Sequence, residues 1–249
     1  MGEQARRNSD VDWDGFDARS YLEHNYRTLR GDDRRFMEAM RDYFASSSLP
    51  SDAVGIDVGS GTNLYPALAM LPFVRELILL DYSAQNVDWL ERQVHHFEES
   101  WDPFWETLCE NRTYASIPDP RAALRQVATV VRGDIFSFRP DRLYDVGTMF
   151  FVAESISNSR EEFQVAVDRF LAALRPGAPF AAAFMENSLG YTVGGTEFPA
   201  VKITEEDVDG ALSLAAEGLN VRSEPAGGHG AALRPGYDGM ILAVGRKKL

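Results

Sequence analysis

The chain has 249 residues, enough to bury a sizeable core in one large α/β domain or one domain with a cap. With 45% hydrophobic and 25% charged residues it is not a wholly disordered polymer. A formal charge of -13 makes the average surface repel phosphate backbones and anionic membranes, so neither nucleic acid nor a membrane is expected as a partner.

The opening "MGEQARRNSDVDWDGFDARS" is polar and reads as neither a secretion signal nor an anchor. From Asp17 to Ser48, "FDARSYLEHNY" and "DDRRFMEAMRDYFASS" place aliphatic and aromatic residues at three-and-four spacing, which predicts two helices. After Pro50 the pattern changes to alternating strands and helices. "AVGIDV" predicts a buried strand, "NLYPALAML" a helix, "ELILLDY" a strand and "AQNVDWLERQVHHFEES" an amphipathic helix. "WDPFWETLCENRTYASIPDPR" is an aromatic-rich excursion whose Trp101, Phe104 and Trp105 either wall a pocket for a flat ring or pack in the core. The only cysteine, Cys109, lies there; it permits no intrachain disulfide and fits a reducing, cytoplasmic setting.

"ATVVRGDI" and "YDVGTMFFV" predict third and fourth strands. A helix over "SREEFQVAVDRFLAALRPG", stopped by Pro176 and Gly177, leads to a fifth strand in "APFAAAFMEN". Arg175, Pro176, Gly177 and Pro179 break this apolar neighbourhood well short of the roughly 20 residues a bilayer crossing needs. "SLGYTVGGTEFPAV" is a glycine-bearing loop or small hairpin. "TEEDVDGALSLAAEG" is a threonine-capped helix, and "LNVRSEP" and "YDGMILAVGRK" are closing strands, the last antiparallel. Such alternation implies a mostly parallel sheet covered on both faces.

Ligands of an open α/β sheet sit at the carboxyl ends of strands where the strand order reverses. Gly59-Ser60-Gly61 occupies that position after the first strand. A dinucleotide fingerprint would have a third glycine where Leu64 stands, and a P-loop would end in Gly-Lys-Ser/Thr, which is missing. The turn therefore suits a ligand that approaches the backbone without phosphates. Asp81, about twenty residues on, stands where an acid grips a ribose diol. Asp134, in Gly133-Asp134-Ile135, follows the third strand and is placed to approach an adenine amine. An adenosine without phosphates fits, and S-adenosyl-L-methionine (SAM) is such a molecule. Taken singly, the glycines also suit a bare strand-to-helix turn and Asp134 a solvated turn aspartate.

In this order "YLEHNYRTLRGD", "IDVGSGTNLY", "LLDYSAQN", "RGDIF", "FVAESIS" and "LRPGAPF" resemble the family of nicotinamide, phenylethanolamine and indolethylamine N-methyltransferases, from about Phe16 to the C-terminus. The resemblance implies a class I SAM-dependent methyltransferase fold: Rossmann-like, with a mostly parallel seven-stranded sheet, helices on both faces and an N-terminal helical lid. Residues 1-50 would be the lid, and 51-249 the α/β domain with insertions near 100-120 and 187-201. SAM would be the cofactor and S-adenosyl-L-homocysteine the product. Tyr21 and Tyr26 match the tyrosines that close over the cofactor, and Gly59, Ser60, Gly61 and Tyr65 the groups around its methionine tail. Asp81 matches the ribose acid, Tyr82 the aromatic beside adenine, Asn86 a further contact, and Asp134 and Ile135 the adenine pair. Phe150 and Phe151 fall near the residues after the fourth strand.

Methyl transfer is an in-line displacement that needs a held nucleophile and excluded water, and no metal. Glu154 matches a family glutamate beside the substrate, and Glu186 stands where amine-methylating members carry a Glu-Glu pair; both are candidate catalytic acids. Here the pair reads Glu186-Asn187, which leaves N-, C- and O-acceptors open. The expected activity is methylation of a small aromatic or heteroaromatic acceptor, first at an amine nitrogen, alternatively at carbon or oxygen of an indole or phenol-type natural-product intermediate. A non-catalytic SAM-binding sensor and a nicotinamide-dependent oxidoreductase are the competing readings, the latter opposed by Leu64. His24, His95, His96 and His229 are too scattered to suggest a metal site. A monomer or homodimer is expected.

Overall fold

The computed structural model describes residues 6–226 and 234–249. Two short 3-10 turns, Asn8–Asp10 and Trp13–Gly15, precede α1 (Ala18–Asn25) and α2 (Gly31–Ser46). Asp17 caps α1 by accepting the Ser20 amide at 2.9 Å. On α2 the predicted spacing buries Phe36, Met37, Met40 and Phe44.

The α/β region then runs β1 (Val54–Val58), α3 (Tyr65–Met70), β2 (Glu76–Asp81) and α4 (Ala84–His96). The aromatic excursion folds into α5 (Asp102–Leu108), α6 (Arg112–Ala115) and α7 (Pro120–Val127). Beyond it come β3 (Ala128–Arg132), β4 (Val146–Phe150), α8 (Arg160–Ala172) and β5 (Pro179–Glu186). A hairpin of β6 (Tyr191–Val193) and β7 (Thr196–Phe198) follows, then α9 (Glu205–Ser213), β8 (Ala216–Pro225) and β9 (Gly239–Lys247).

Seven strands form one sheet in the order β3-β2-β1-β4-β5-β9-β8. β1 pairs in parallel with both β2 and β4, and β9 runs antiparallel to both β5 and β8. Strand order therefore reverses between β1 and β4, so the loops leaving these strands diverge and open a crevice. Buried strand residues alternate between the two faces: Ala181, Ala183 and Met185 pack with residues of α2 to α5, whereas Ala182 and Phe184 pack with α8 and α9. No helix among the described residues is long and apolar enough to cross a membrane.

A third, small cluster joins Val11, Trp13 and Phe16 to Tyr191, Val193 and Phe198. Trp13 stacks on Phe198 with ring centroids 5.3 Å apart, so the N-terminal segment rests on the β6–β7 hairpin. A second tie comes from Asp14, which accepts two hydrogen bonds from Arg132 at 2.8 and 2.9 Å and the Ala84 amide at 2.8 Å. Both contacts hold the segment across the carboxyl edge of the sheet.

Candidate active site

At that edge lies a cavity of about 110 Å³. Its floor is the turn after β1. Gly59 and Gly61 adopt φ of 65° and 52°, a left-handed backbone that favours glycine. A Cβ on Gly59 would stand 2.4 Å from Val152 Cγ2 in the loop after β4, so this glycine is also demanded by space. The Gly59 and Ser60 amides donate to Leu80 O at 2.7 and 3.1 Å, tying the turn to the end of β2.

There Asp81 is 7% exposed. Its Oδ2 accepts the Gly61 amide at 2.7 Å, and its Oδ1 accepts the Ser83 amide at 2.9 Å and Asn86 Nδ2 at 3.1 Å. Burial pushes this carboxyl above its ordinary range, against the pull of those hydrogen bonds. Thr62 Oγ1, Asn63 Nδ2 and Asn86 Oδ1 are buried without a hydrogen-bond partner among the described residues, and all three side chains belong to cavity-lining residues. Unsatisfied buried polar atoms are costly, and a polar nucleoside would satisfy them.

The walls gather Tyr21, Tyr26, Tyr82, Asp134, Ile135, Phe150 and Phe151 around the same cavity, with Asn86 beside the floor. Asp134 Oδ1 accepts the Phe136 amide at 3.0 Å, a turn contact that fixes its carboxyl. Phe151 has φ of 60°, unusual for an aromatic residue, and it ends β4 sharply so that Phe150, Phe151 and Val152 all face the cavity. Tyr82 is half-exposed at the rim.

Three expected site residues stand apart from the cavity, and the aromatic excursion takes the core packing that its sequence left open. Tyr65 does not line the cavity: it is fully buried, its hydroxyl donates to Asp33 Oδ1 at 3.3 Å, and its ring stacks on Phe104 with centroids 6.1 Å apart. Trp101, Phe104 and Trp105 are core residues, and Trp101 supports the cavity only by backing Tyr26, centroids 5.9 Å apart. Glu154 is fully buried and lies behind the wall, its Oε1 accepting Ser155 Oγ at 2.8 Å and the Met185 amide at 3.1 Å. Glu186 also stays outside the cavity lining and accepts a hydrogen bond from Ser223 Oγ. Glu186 is thus engaged by the protein itself, whereas Glu154 Oε2 is buried without a hydrogen-bond partner among the described residues. His229 lies outside the described residues, and His24, His95 and His96 do not line the cavity.

Asn8, Trp13, Phe16, Ser155, Ile156 and Tyr191 line the cavity and were not anticipated. The tryptophan and phenylalanine of "DVDWDGF" are the signal that was available; a lone Asn, Ser or Tyr in a loop carries none. Beneath the turn, Asp57 Oδ1 accepts the Thr148 hydroxyl at 2.6 Å, and burial pushes its carboxyl up to about 7.

A family model described as the NNMT/PNMT/TEMT family matches residues 7–248. Indolethylamine N-methyltransferase of Mus musculus is 26% identical over 68% of this chain and 67% of its own length. Phenylethanolamine N-methyltransferase of Sus scrofa is 24% identical over 94% of this chain and 89% of its own. Among solved structures, a S-adenosylmethionine-dependent methyltransferase from Clostridium acetobutylicum superposes with a TM-score of 0.60 at 12% identity, covering 94% of this chain and 100% of that one. The N-methyltransferase NodS from Bradyrhizobium japonicum, in complex with S-adenosyl-L-homocysteine, gives 0.54 at 14% identity, covering 92% and 98%. Sheet order and neighbours agree on the class I methyltransferase fold. The chain belongs to the NNMT/PNMT/TEMT family and is a SAM-dependent methyltransferase.

Proposed function

We propose that this enzyme methylates a small aromatic or heteroaromatic acceptor at nitrogen, in the cavity floored by Gly59-Ser60-Gly61 and Asp81. The carrying observation is that one cavity combines a buried, backbone-held carboxylate and unsatisfied amide and hydroxyl groups with aromatic walls. Bound SAM supplies a methyl group on a positively charged sulfur, open to in-line displacement.

The chain's own residues do the rest. Asp81 takes the ribose diol, with Asn86 beside it; Asp134 and Ile135 receive the adenine; Tyr82 borders it at the rim. Gly59, Ser60 and Gly61 let the tail approach the backbone. Tyr21 and Tyr26 close the cavity from above, and Phe150 and Phe151 exclude water and hold a flat acceptor. Residues 6–50 serve as the lid over the α/β unit, with the insertion near 187–201 completing it through Tyr191 and Phe198.

The test is incubation of the purified protein with methyl-labelled SAM and a panel of pyridines, anilines, indoles, phenols and arylethylamines, with the product methyl located by NMR. A methyl on nitrogen of an aromatic acceptor supports the reading. A methyl on carbon or oxygen replaces the nitrogen assignment, and SAM binding without transfer to any acceptor counts against the aromatic class.

A further inference from the structure

Arg234, just before β9, is 3% exposed, and no step proposed so far uses a buried cation. Burying a guanidinium is costly unless its charge is balanced and its N–H groups are bonded. Here Nη1 donates to Ser155 Oγ at 2.7 Å, Nη2 donates to the Tyr21 hydroxyl at 3.1 Å, and the guanidinium carbon lies 4.2 Å from the centre of the Tyr191 ring. Ser155, Tyr21 and Tyr191 all line the cavity and come from three separate segments. One cation therefore touches the back of three parts of the wall.

The balancing charge is Glu154. Ser155 Oγ accepts from Arg234 and donates to Glu154 Oε1 at 2.8 Å, so the serine joins the two ionisable groups in one buried chain. Burial pushes the Glu154 carboxyl up, and the Arg234 charge pulls it back. Two charge states follow. With Glu154 ionised the pair is neutral, and with Glu154 protonated it is cationic. In neither state does this wall offer the net negative charge that would compensate an entering ammonium.

We propose that Arg234 is a specificity-determining residue that cancels Glu154 and so selects acceptors whose nucleophilic nitrogen enters uncharged, a heteroaromatic ring nitrogen or an arylamine, over alkylammonium compounds. This rests on the function proposed above. The nitrogen lone pair forms the N–CH₃ bond as the S–CH₃ bond breaks, and the sulfur keeps that electron pair as a thioether. A ring nitrogen retains the positive charge; an arylamine passes its proton to water. No carboxylate is required as a base, consistent with Glu154 and Glu186 both lying outside the cavity lining.

The test compares isoquinoline with 2-phenylethylamine at pH 7.5 in the wild type, Arg234→Met, Arg234→Lys and Arg234→Met/Glu154→Gln. Wild type and Arg234→Lys are expected to favour isoquinoline at least tenfold in kcat/KM. Arg234→Met should shift the preference at least tenfold towards the amine by leaving Glu154 to pair with the entering ammonium in place of Arg234, and the double variant should lose that shift. Equal or better turnover of the amine by wild type, or an equal loss on both acceptors in Arg234→Met, overturns the proposal. If neither compound is methylated, charge cancellation is decided by urea unfolding of Arg234→Met, Glu154→Gln and the double variant. Coupled residues predict that the double variant unfolds at least tenfold less readily than the two single effects combined. Additive effects overturn the pairing.

Discussion

Asp81 Oδ2 accepts the Gly61 amide at 2.7 Å, so the carboxylate that ends β2 also holds the turn that follows β1. The ribose-binding candidate and the glycine turn are thus one unit, and the Asp81 carboxyl is held in place by the protein before any ligand arrives. Preorganisation of this kind reduces the ordering cost of binding.

The turn tolerates no side chain at its first glycine. Gly59→Ala combines a left-handed φ with a Cβ placed 2.4 Å from Val152 Cγ2. It is expected to destabilise the fold by about 1–3 kcal/mol and to weaken SAM binding together with it. Urea unfolding and a SAM titration check both; an unchanged unfolding midpoint would mean that the loop after β4 yields freely.

Stability should depend on pH through Asp33. Burial, reinforced by the neighbouring Asp32 charge, pushes its carboxyl up to about 7, from 3.8 in the unfolded chain. A raised acid contributes fully below the unfolded value, and that contribution is lost as pH rises through the folded value. Asp33→Asn, which keeps an acceptor for Tyr65, should therefore gain stability relative to wild type between pH 5 and 8, by about 1–3 kcal/mol. Denaturation of both proteins without ligand at the two pH values reads it. A constant difference would place Asp33 in ordinary carboxylate territory.

The two glutamates should separate by stability. Glu154→Gln leaves Arg234 as a buried cation without its counter-charge, an expected cost of about 3 kcal/mol. Glu186, partly exposed beside Ser223, should cost about 1 kcal/mol or less as Glu186→Gln. Thermal and urea unfolding compare them, and equal losses would contradict the charge-balancing role.

The candidate site was legible in the sequence where a residue's place follows from local position along the sheet. Gly59, Gly61, Asp81 and Asp134 sit at strand ends, and strand ends are readable from apolar runs and turn residues. Packing direction is not readable in this way. Tyr26 and Tyr65 are both tyrosines near helix ends, yet Tyr26 faces the cavity while Tyr65 turns onto Asp33 and Phe104. The aromatic run at Trp101 had the composition of a pocket wall, and only the contact with Tyr26 shows it to be support. Arg234 was out of reach for another reason: its bond to Tyr21 spans 213 positions of chain. Long-range pairing of that kind leaves no periodic trace.

The most direct test is calorimetric titration of SAM into wild type and Asp81→Ala, with circular dichroism confirming that both are folded. The account predicts more than tenfold weaker binding in the variant, since charge-assisted hydrogen bonds contribute about 1.5–3 kcal/mol. Unchanged affinity in a folded Asp81→Ala protein would contradict the placement of the nucleoside at the Asp81–Gly61 turn.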